Sequence, residues 1–146
     1  MVLSQVRARA AALLTPSHIA HAHCDIPCGI YDPHTAQLAA NTVMAMVTKI
    51  QGLAPDDRNN FVRMVHVKEE HAEVCKKELQ ILWSDYFKPE HLEKYPDLHD
   101  KFWKALKLGS KNKQNIDAGA AQQLIDAVAE IANIFWETKG QPAPAR

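Results

Sequence analysis

The sequence lacks several features by which whole classes of protein are recognised. No part of its 146 residues approaches the roughly 20 consecutive apolar residues of a membrane-spanning helix, so no membrane partner is expected. Neither sign of charge is in excess, because 17 lysines and arginines balance 17 aspartates and glutamates. That balance argues against nucleic acid as a partner. The chain has no second cysteine pair to complete a zinc site, no convincing strand pattern and no internal repeat.

The chain does have enough apolar material, 47% of its residues, for the core of one domain. The first helix is predicted to open at Asp32-Pro33, an N-cap residue followed by proline, and to stop at Gly52. A second helix is expected from about Pro55-Asp56-Asp57 to about Trp83. Their apolar faces follow three- and four-residue steps and comprise Val43, Met46, Val47 and Ile50, then Phe61, Val65, Ala72, Cys75, Leu79 and Leu82, with Lys68 as the one charged interruption.

Two further helices complete the pattern. A shorter third helix follows the loop Phe87-Lys88-Pro89; its clearer part starts at Pro96-Asp97 and stops before Gly109, and 110–115 is predicted to be a loop. Asp117 is expected to cap a fourth helix that Gly140 ends. Their apolar faces comprise Leu98, Phe102, Ala105 and Leu106, then Leu124, Ile125, Val128, Ile131, Ala132 and Phe135. We therefore predict an all-α fold, an antiparallel four-helix bundle over about 33–139, with a disordered tail at 140–146.

One short segment, 23–28, combines an imidazole, two thiols and a rigid turn. If the chain is cut after Ala22, the α-amine of His23 becomes available to a metal. That amine and the deprotonated amide nitrogen of Cys24 close one five-membered chelate ring, and the same amide nitrogen and the Cys24 sulfur close a second. Cys28 supplies a fourth donor across a turn that Pro27 favours. Planar nitrogen and sulfur donors select nickel(II) or copper(II), whereas a tetrahedral thiolate set suits zinc.

Residues 1–22 are interpreted as a cleaved leader. Ala20-His21-Ala22 resembles an A-x-A processing site, as in secretory signals. The preceding apolar run, Ala10 to Leu14, is shorter than the about 7–15 residues of such signals. We favour a pro-segment that a maturation protease removes in the cytoplasm. Export by a secretory signal and a merely disordered N-terminus are the alternatives.

Residues 23–33, HCDIPCGIYDP, closely resemble the nickel-binding hook of the nickel superoxide dismutase family. The resemblance extends along the whole of 23–146 through LWSDYFKP at 82–89, EKYP at 93–96 and IFWETK at 134–139. It implies a helical-bundle subunit with an N-terminal metal-binding hook, one nickel ion per subunit and assembly as a homohexamer. It also implies disproportionation of superoxide to oxygen and hydrogen peroxide by Ni(II)/Ni(III) cycling.

The resemblance assigns site residues position by position. His23, Cys24 and Cys28 become the nickel ligands: the His23 amine and Cys24 amide join the two sulfurs in the plane, and the His23 imidazole is axial in the oxidised state. Tyr31 is expected at the mouth of the site, where its hydroxyl organises water or substrate. Three outer residues follow, with Asp25 bracing the hook, Tyr86 near the site and Lys88 attracting the anion. Without the resemblance, Asp25 would be interpreted as a turn former, Tyr86 as a packed aromatic residue and Lys88 as a solvated surface charge.

The sequence departs from the family at two positions. A Glu and an Arg that steady the axial imidazole in the family align with Ala39 and His71. The imidazole of His23 must therefore find other support, and such partners tune a ligand's basicity. His71 is one candidate, and a solvated position beside Glu70 is the other interpretation. The remaining histidines, which show no ligand spacing with the hook, are interpreted as structural or exposed: His34, His66, His91 and His99.

Three functions are weighed. The enzyme is favoured, because the matches far from the hook would be unnecessary in a carrier. The alternative is a non-catalytic nickel or copper carrier. A third possible function is that of a thiol–disulfide protein using Cys24 and Cys28. That function would give no role to His23. Cys75 lies in a helical pattern and is interpreted as a small buried hydrophobe.

Overall fold

The computed structural model describes residues 29–144. Within this range the chain is helical, and no strand occurs in it. Its segments are α1 (His34–Gln51), α2 (Arg58–Ile81), a π-helical segment (Leu82–Tyr86), α3 (Pro89–Lys94), α4 (Leu98–Gln114) and α5 (Ala118–Thr138). None of these helices is long and apolar enough to cross a lipid bilayer.

The four long helices form a closed ring. Helix α1 packs on α2 and α5, and α4 packs on the same two helices from the other side. Helices α2 and α4 run in opposite directions: Lys68 contacts Lys113 at the end of α4, whereas Trp83, just after α2, stacks on Phe102 near its start. The prediction of an antiparallel four-helix bundle is confirmed for the part of the chain described.

Aspartates accept hydrogen bonds at the starts of three of these helices. Asp57 and Asp117 are N-caps, whereas α1 has Pro33 at its N-cap position and Asp32, the predicted N-cap, lies one residue earlier. Asp32 accepts a hydrogen bond from the His34 N–H at 2.8 Å. Asp57 accepts from the Asn60 N–H at 3.2 Å, and Asp117 accepts from the N–H groups at the start of α5. Each carboxylate satisfies backbone donors that have no partner within the helix. These local bonds explain why the helix starts could be located from the sequence.

The core lies between the facing stripes of the four long helices. Its larger buried side chains include Val43, Val47, Leu79, Leu82, Leu98, Phe102, Leu124, Val128, Ile131 and Phe135. The expectation for Phe61 was wrong, since this side chain is 43% exposed. It lines a shallow cleft with Ile50 and Leu53 at the junction of α1 and α2. The spacing of apolar residues identifies which face of a helix points inward. It does not show whether another helix covers that face at a given position along the axis.

Helix α4 is longer than the sequence suggested. We expected it to stop before Gly109 and 110–115 to be a loop, yet it continues to Gln114. Gly109 is buried, and a Cβ added there would lie 2.7 Å from Cγ of Lys76 on α2. Glycine therefore permits close helix packing rather than ending the helix. The Asn112 side-chain amide donates to the carbonyls of Leu108 and Ala120, which supports the polar last turns.

The charged interruption in the second helix is not solvated. Lys68 is only 1% exposed. Its ammonium group donates to the backbone carbonyl of Asn112 and, at 3.0 Å, to that of Lys113. Burial lowers the pKa of Lys68, while the neighbouring Glu69 opposes that shift. The lysine serves as a C-terminal cap for α4 supplied by another helix, which satisfies carbonyls left without intrahelical partners.

Candidate metal centre

The residues expected to ligate the metal lie outside the described residues. They are His23, Cys24 and Cys28, and Asp25 is outside as well. Within 29–144, no cluster of three or more His, Cys, Asp or Glu side chains could hold a metal ion. The donor set at 23–28 fits nickel on its chemistry, because thiolate, amide and imidazole together suit a redox-active nickel ion. The ligand assignments stay predictions.

The backbone directly after Cys28 has a conformation that favours glycine. Gly29 has φ of +71°, which lies in the left-handed region. Residues with a Cβ rarely adopt this conformation, whereas glycine does so without steric cost. Glycine at position 29 therefore permits a left-handed turn directly after the second thiol.

A π-helical segment places Tyr86. Helix α2 ends at Ile81 and is followed by the wider turn Leu82–Tyr86, which ends with the Phe87 N–H donating to the Leu82 carbonyl at 3.1 Å. A wider turn changes the angular position of the side chains after it, and such turns often occur at functional sites. The apolar pattern placed the end of the second helix near Trp83 and contained no sign of this turn.

Tyr31 and Tyr86, two of the predicted site residues, are brought together. Their ring centroids are 5.6 Å apart, and the planes are inclined by 56°. Both side chains are half-buried. A tilted pair at this distance is a favourable aromatic contact. Tyr31, which precedes α1, therefore contacts the last residue of the π-helical segment.

Tyr86 is held on several sides. Its ring lies 4.5 Å from that of Phe135, 5.0 Å from Phe87 and 5.7 Å from His91, centroid to centroid. Its hydroxyl oxygen is 2.6 Å from Oγ1 of Thr138. His91 was expected to be structural or exposed, and its stacked ring has a structural role here. Thr138 was not singled out, although it belongs to the segment 134–139 that resembles the family.

Two lysines belong to the segments that end at or follow Tyr86 and Thr138. Lys88 is exposed two residues after Tyr86, and its backbone N–H donates to Nδ1 of His91 at 3.1 Å. The second, Lys139, was not predicted: its ammonium nitrogen is 5.3 Å from the centre of the Tyr86 ring. A cation over an aromatic face is attracted by the ring quadrupole. The surroundings of Tyr86 therefore carry the positive charge of Lys139, and Lys88 adds an exposed lysine two residues along the chain.

The positions that depart from the family pattern are both on the bundle. Ala39 is buried, with 2% exposure. His71 is half-buried, and its Nδ1 lies 2.9 Å from the carbonyl oxygen of Val67. Because a carbonyl can only accept, Nδ1 must carry the proton. His71 is therefore not simply solvated beside Glu70, and its support of the His23 imidazole stays a prediction.

Cys75 is a buried packing residue, as its position in the helical pattern indicated. Its side chain has 0% exposure within the main core. Burial, with a smaller contribution from Glu78, raises the pKa of its thiol to about 12. A metal ligand or nucleophile must be a thiolate. Cys75 is therefore unsuited to either role.

A separate groove lies away from these tyrosines. It lies between α4 and α5, has a volume of about 640 Å³ and is lined by residues that include Trp103, Lys107 and Asp126. None of Tyr31, Tyr86 or Lys88 lines it. The groove also lacks thiol and imidazole donors. It therefore contains none of the described residues predicted for the metal site.

The chain matches known proteins along most of its length. Residues 18–139 match the family described as nickel-containing superoxide dismutase. The chain is 44% identical over 127 residues to the superoxide dismutase [Ni] of Streptomyces seoulensis, covering 87% of this chain and 95% of that protein, and equally to that of Streptomyces coelicolor. A native nickel superoxide dismutase structure superposes with a TM-score of 0.77 and 45% identity over 81% of this chain and 99% of that one. The chain therefore belongs to the nickel-containing superoxide dismutase family.

Proposed function

We propose that this protein catalyses the disproportionation of superoxide at one nickel ion per subunit, held by His23, Cys24 and Cys28. Two superoxide anions and two protons are converted to one oxygen molecule and one hydrogen peroxide. Family membership is the observation that carries the proposal. A nickel ion held by these residues would supply one-electron redox chemistry through Ni(II)/Ni(III) cycling.

The thiolates of Cys24 and Cys28 are proposed to make this cycle possible. Anionic sulfur donors and a deprotonated amide stabilise a higher oxidation state of the metal, which a neutral donor set would not. The α-amine and imidazole of His23 complete the set. Asp25 would brace this segment through backbone hydrogen bonds. The donors are close in sequence, so their chelate rings can form without a contribution from the bundle.

The described residues contribute access and charge. Tyr31 would organise water or the substrate anion with its hydroxyl, at a position set by its contact with Tyr86. Lys88, which is exposed, would raise the local concentration of the anion by long-range attraction. Lys139, against the ring of Tyr86, would add to the same field.

The decisive experiment compares three cysteine variants of the processed protein. Cys24→Ser and Cys28→Ser should lose nickel and superoxide consumption, because a hydroxyl cannot replace a thiolate donor. Cys75→Ser is the matched control and should keep both. Nickel is measured by mass spectrometry and superoxide decay by stopped-flow absorbance. Substantial activity in either ligand variant would overturn the assignment. A wild-type protein that holds nickel without consuming superoxide would instead establish the carrier.

We also propose that the subunits assemble as a homohexamer. A metal segment on an N-terminal arm would have few partners within its own subunit, so neighbouring chains would cover it. Four large apolar side chains on the bundle surface are at least 43% exposed, which suits contact with other chains: Leu38, Phe61, Val62 and Trp103. Light scattering should report six subunits. An active, nickel-loaded monomer would contradict this proposal.

The leader, residues 1–22, is proposed to be removed by a maturation protease within the cytoplasm. The short apolar run in this segment supports a pro-segment over a secretory signal. Cell fractionation followed by mass spectrometry should find the form that begins at His23 in the cytoplasm. Recovery of that form from the exterior would favour the secretory alternative.

A further inference from the structure

Two hydroxyl groups and one carbonyl form a short chain of hydrogen bonds at the end of α5. The hydroxyl oxygen of Tyr86 lies 2.6 Å from Oγ1 of Thr138. Thr138 Oγ1 in turn donates to the carbonyl oxygen of Phe135 at 2.7 Å. The carbonyl can only accept, so the single hydroxyl proton of Thr138 is directed to it. The Tyr86 hydroxyl must then be the donor in its bond to Thr138.

This order of donors determines what Tyr86 can offer to its surroundings. Its one hydroxyl proton points to Thr138, so the oxygen presents only lone pairs in other directions. While the bond stands, Tyr86 can accept a hydrogen bond but cannot donate one to an anion or a water molecule. Any hydrogen bond donated to the substrate must therefore come from another group.

The end of α5 that carries Thr138 is itself well fixed. Gly140, at φ of +66°, donates its N–H to the Glu137 carbonyl at 3.1 Å, and the Gln141 N–H donates to the Trp136 carbonyl at 3.1 Å. These two bonds form a Schellman motif, which satisfies the last carbonyls of the helix. In addition, the Tyr95 hydroxyl donates to Glu137 at 2.5 Å. Thr138 is thus attached to a rigid part of the bundle.

We propose that Thr138 is a positioning residue of the superoxide dismutase site: it fixes the orientation and the proton direction of Tyr86 and, through the Tyr86 ring, the position of Tyr31. The inference rests on the proposed function for its kinetic part. Its structural part concerns the hydrogen bond alone and can be tested without nickel or activity.

The first test is spectroscopic and uses the full chain without added nickel. The chain contains three tyrosines, so labelling with [ζ-¹³C]tyrosine yields three carbon signals that Tyr→Phe variants assign. Thr138→Val should move the Tyr86 signal more than those of Tyr31 and Tyr95, because the hydroxyl loses its acceptor. Thr138→Ser keeps the oxygen and should leave the signal in place. Thr42→Val is the matched control, since Thr42 makes a similar bond to the Leu38 carbonyl, away from these rings.

The second test measures superoxide decay with the processed, nickel-loaded protein. Thr138→Val should lower kcat/KM by about 3- to 10-fold, the effect of one lost hydrogen bond, whereas Thr138→Ser should remain within about 2-fold of wild type. Because Thr138 acts through the Tyr86 hydroxyl, Thr138→Val should have no further effect when combined with Tyr86→Phe. A general packing role would lower the rate in both backgrounds.

The outcomes separate the two levels of the proposal. An unmoved Tyr86 signal in Thr138→Val, or additive effects in the double variant, would overturn the positioning role. If the nickel-loaded wild type consumes no superoxide, the proposed function fails, and the kinetic part of the positioning role fails with it. The carbon signal would still decide whether Thr138 holds Tyr86.

Discussion

The rings of Tyr31 and Tyr86 are in contact, with centroids 5.6 Å apart, and each limits where the other can move. Tyr31 lies between the predicted metal ligands and α1, whereas Tyr86 ends the π-helical segment. The pair thus packs a residue that precedes α1 against the end of the π-helical segment. The ring of Tyr31 packs on Tyr86, whereas its hydroxyl is proposed to organise water or substrate. Different substitutions can therefore test the two roles separately.

Replacement of Tyr31 by Phe should leave nickel bound but change catalysis. The substitution removes the hydroxyl and keeps the ring that packs on Tyr86. We expect kcat/KM to fall by about 3- to 10-fold, as for loss of one hydrogen-bonding group. Tyr31→Ala, which also removes the ring contact, should be worse. Metal analysis and superoxide decay check both. Loss of nickel in Tyr31→Phe would mean that Tyr31 has a structural rather than an access role.

Removal of residues 1–22 should switch on nickel binding and activity together. While the leader is attached, the nitrogen of His23 is an amide rather than an amine. An α-amine titrates near pH ~8 and can offer its lone pair to a metal, whereas a peptide nitrogen must first lose a proton at much greater cost. The uncut chain should therefore fold as a bundle but lack the metal site.

The sharpest control for this prediction is one extra alanine before His23. That single residue also converts the amine to an amide, so this form should be nearly as inactive as the uncut chain. Three forms are compared with nickel supplied: full-length, alanine-extended and beginning at His23. Full activity in the uncut form, with its leader verified by mass, would contradict the amine-ligand argument.

Cys75 should be unreactive in the folded protein. Because burial raises the pKa of its thiol to about 12, it stays protonated throughout the neutral range. In a Cys24→Ser, Cys28→Ser variant, iodoacetamide at pH 8 should modify Cys75 only after denaturant is added. Mass spectrometry measures the adduct. Rapid labelling of the native variant would show that the helices open at this level.

Replacement of Lys68 by Met should destabilise the bundle by about 1–3 kcal/mol, because buried carbonyls at the end of α4 lose their donor. Lys77→Met, at an exposed position of the same helix, is the control and should change little. Urea unfolding monitored by circular dichroism measures both. Equal stability of the two variants would mean that water replaces the ammonium group.

Lys68 should also make stability depend on pH. Burial holds its folded pKa below its unfolded value, near 10.5. Between the two values the unfolded chain binds more protons, so the free energy of unfolding rises with pH in that window. The stability difference between wild type and Lys68→Met should therefore widen as the pH is raised from neutral toward 10. A difference that narrows over this range would contradict the argument.

Gly109→Ala should destabilise the wild type but stabilise a Lys76→Ala background. Alanine favours a helix interior by about 1 kcal/mol over glycine. In the wild type, however, the new Cβ would lie 2.7 Å from Cγ of Lys76, so the Lys76 side chain or one of the two helices must shift. Lys76→Ala removes that atom. The free energies of unfolding of the wild type, the two single variants and the double variant are compared by urea unfolding. Additive changes in these free energies would show that the contact is relieved at no cost.

Most helix starts could be predicted because their signals are local. Asp57 and Asp117 bond to backbone groups two or three residues away, so the sequence contains both partners. Core positions in the middle of each helix were likewise predictable from spacing. The exposure of Phe61 could not be predicted in this way, because it depends on where α1 ends relative to α2.

The C-terminal end of α4 shows why other features could not be predicted. Gly109 and the polar residues after it usually mark a loop, and here they belong to a helix. Their partners are Lys68, Lys76 and Ala120, which lie on two other helices. No local signal in 109–114 contains this information.

The sequence by itself determined the helical pattern, the aspartate caps Asp57 and Asp117, and the family to which the chain belongs. It also contains the predicted nickel ligands within six consecutive residues, because chelate rings join neighbouring donors and need no distant contact. Only the tertiary structure decided what surrounds Tyr86. Tyr31, His91, Phe135, Thr138 and Lys139 come from separate parts of the chain and meet there because packing of the four long helices brings them together.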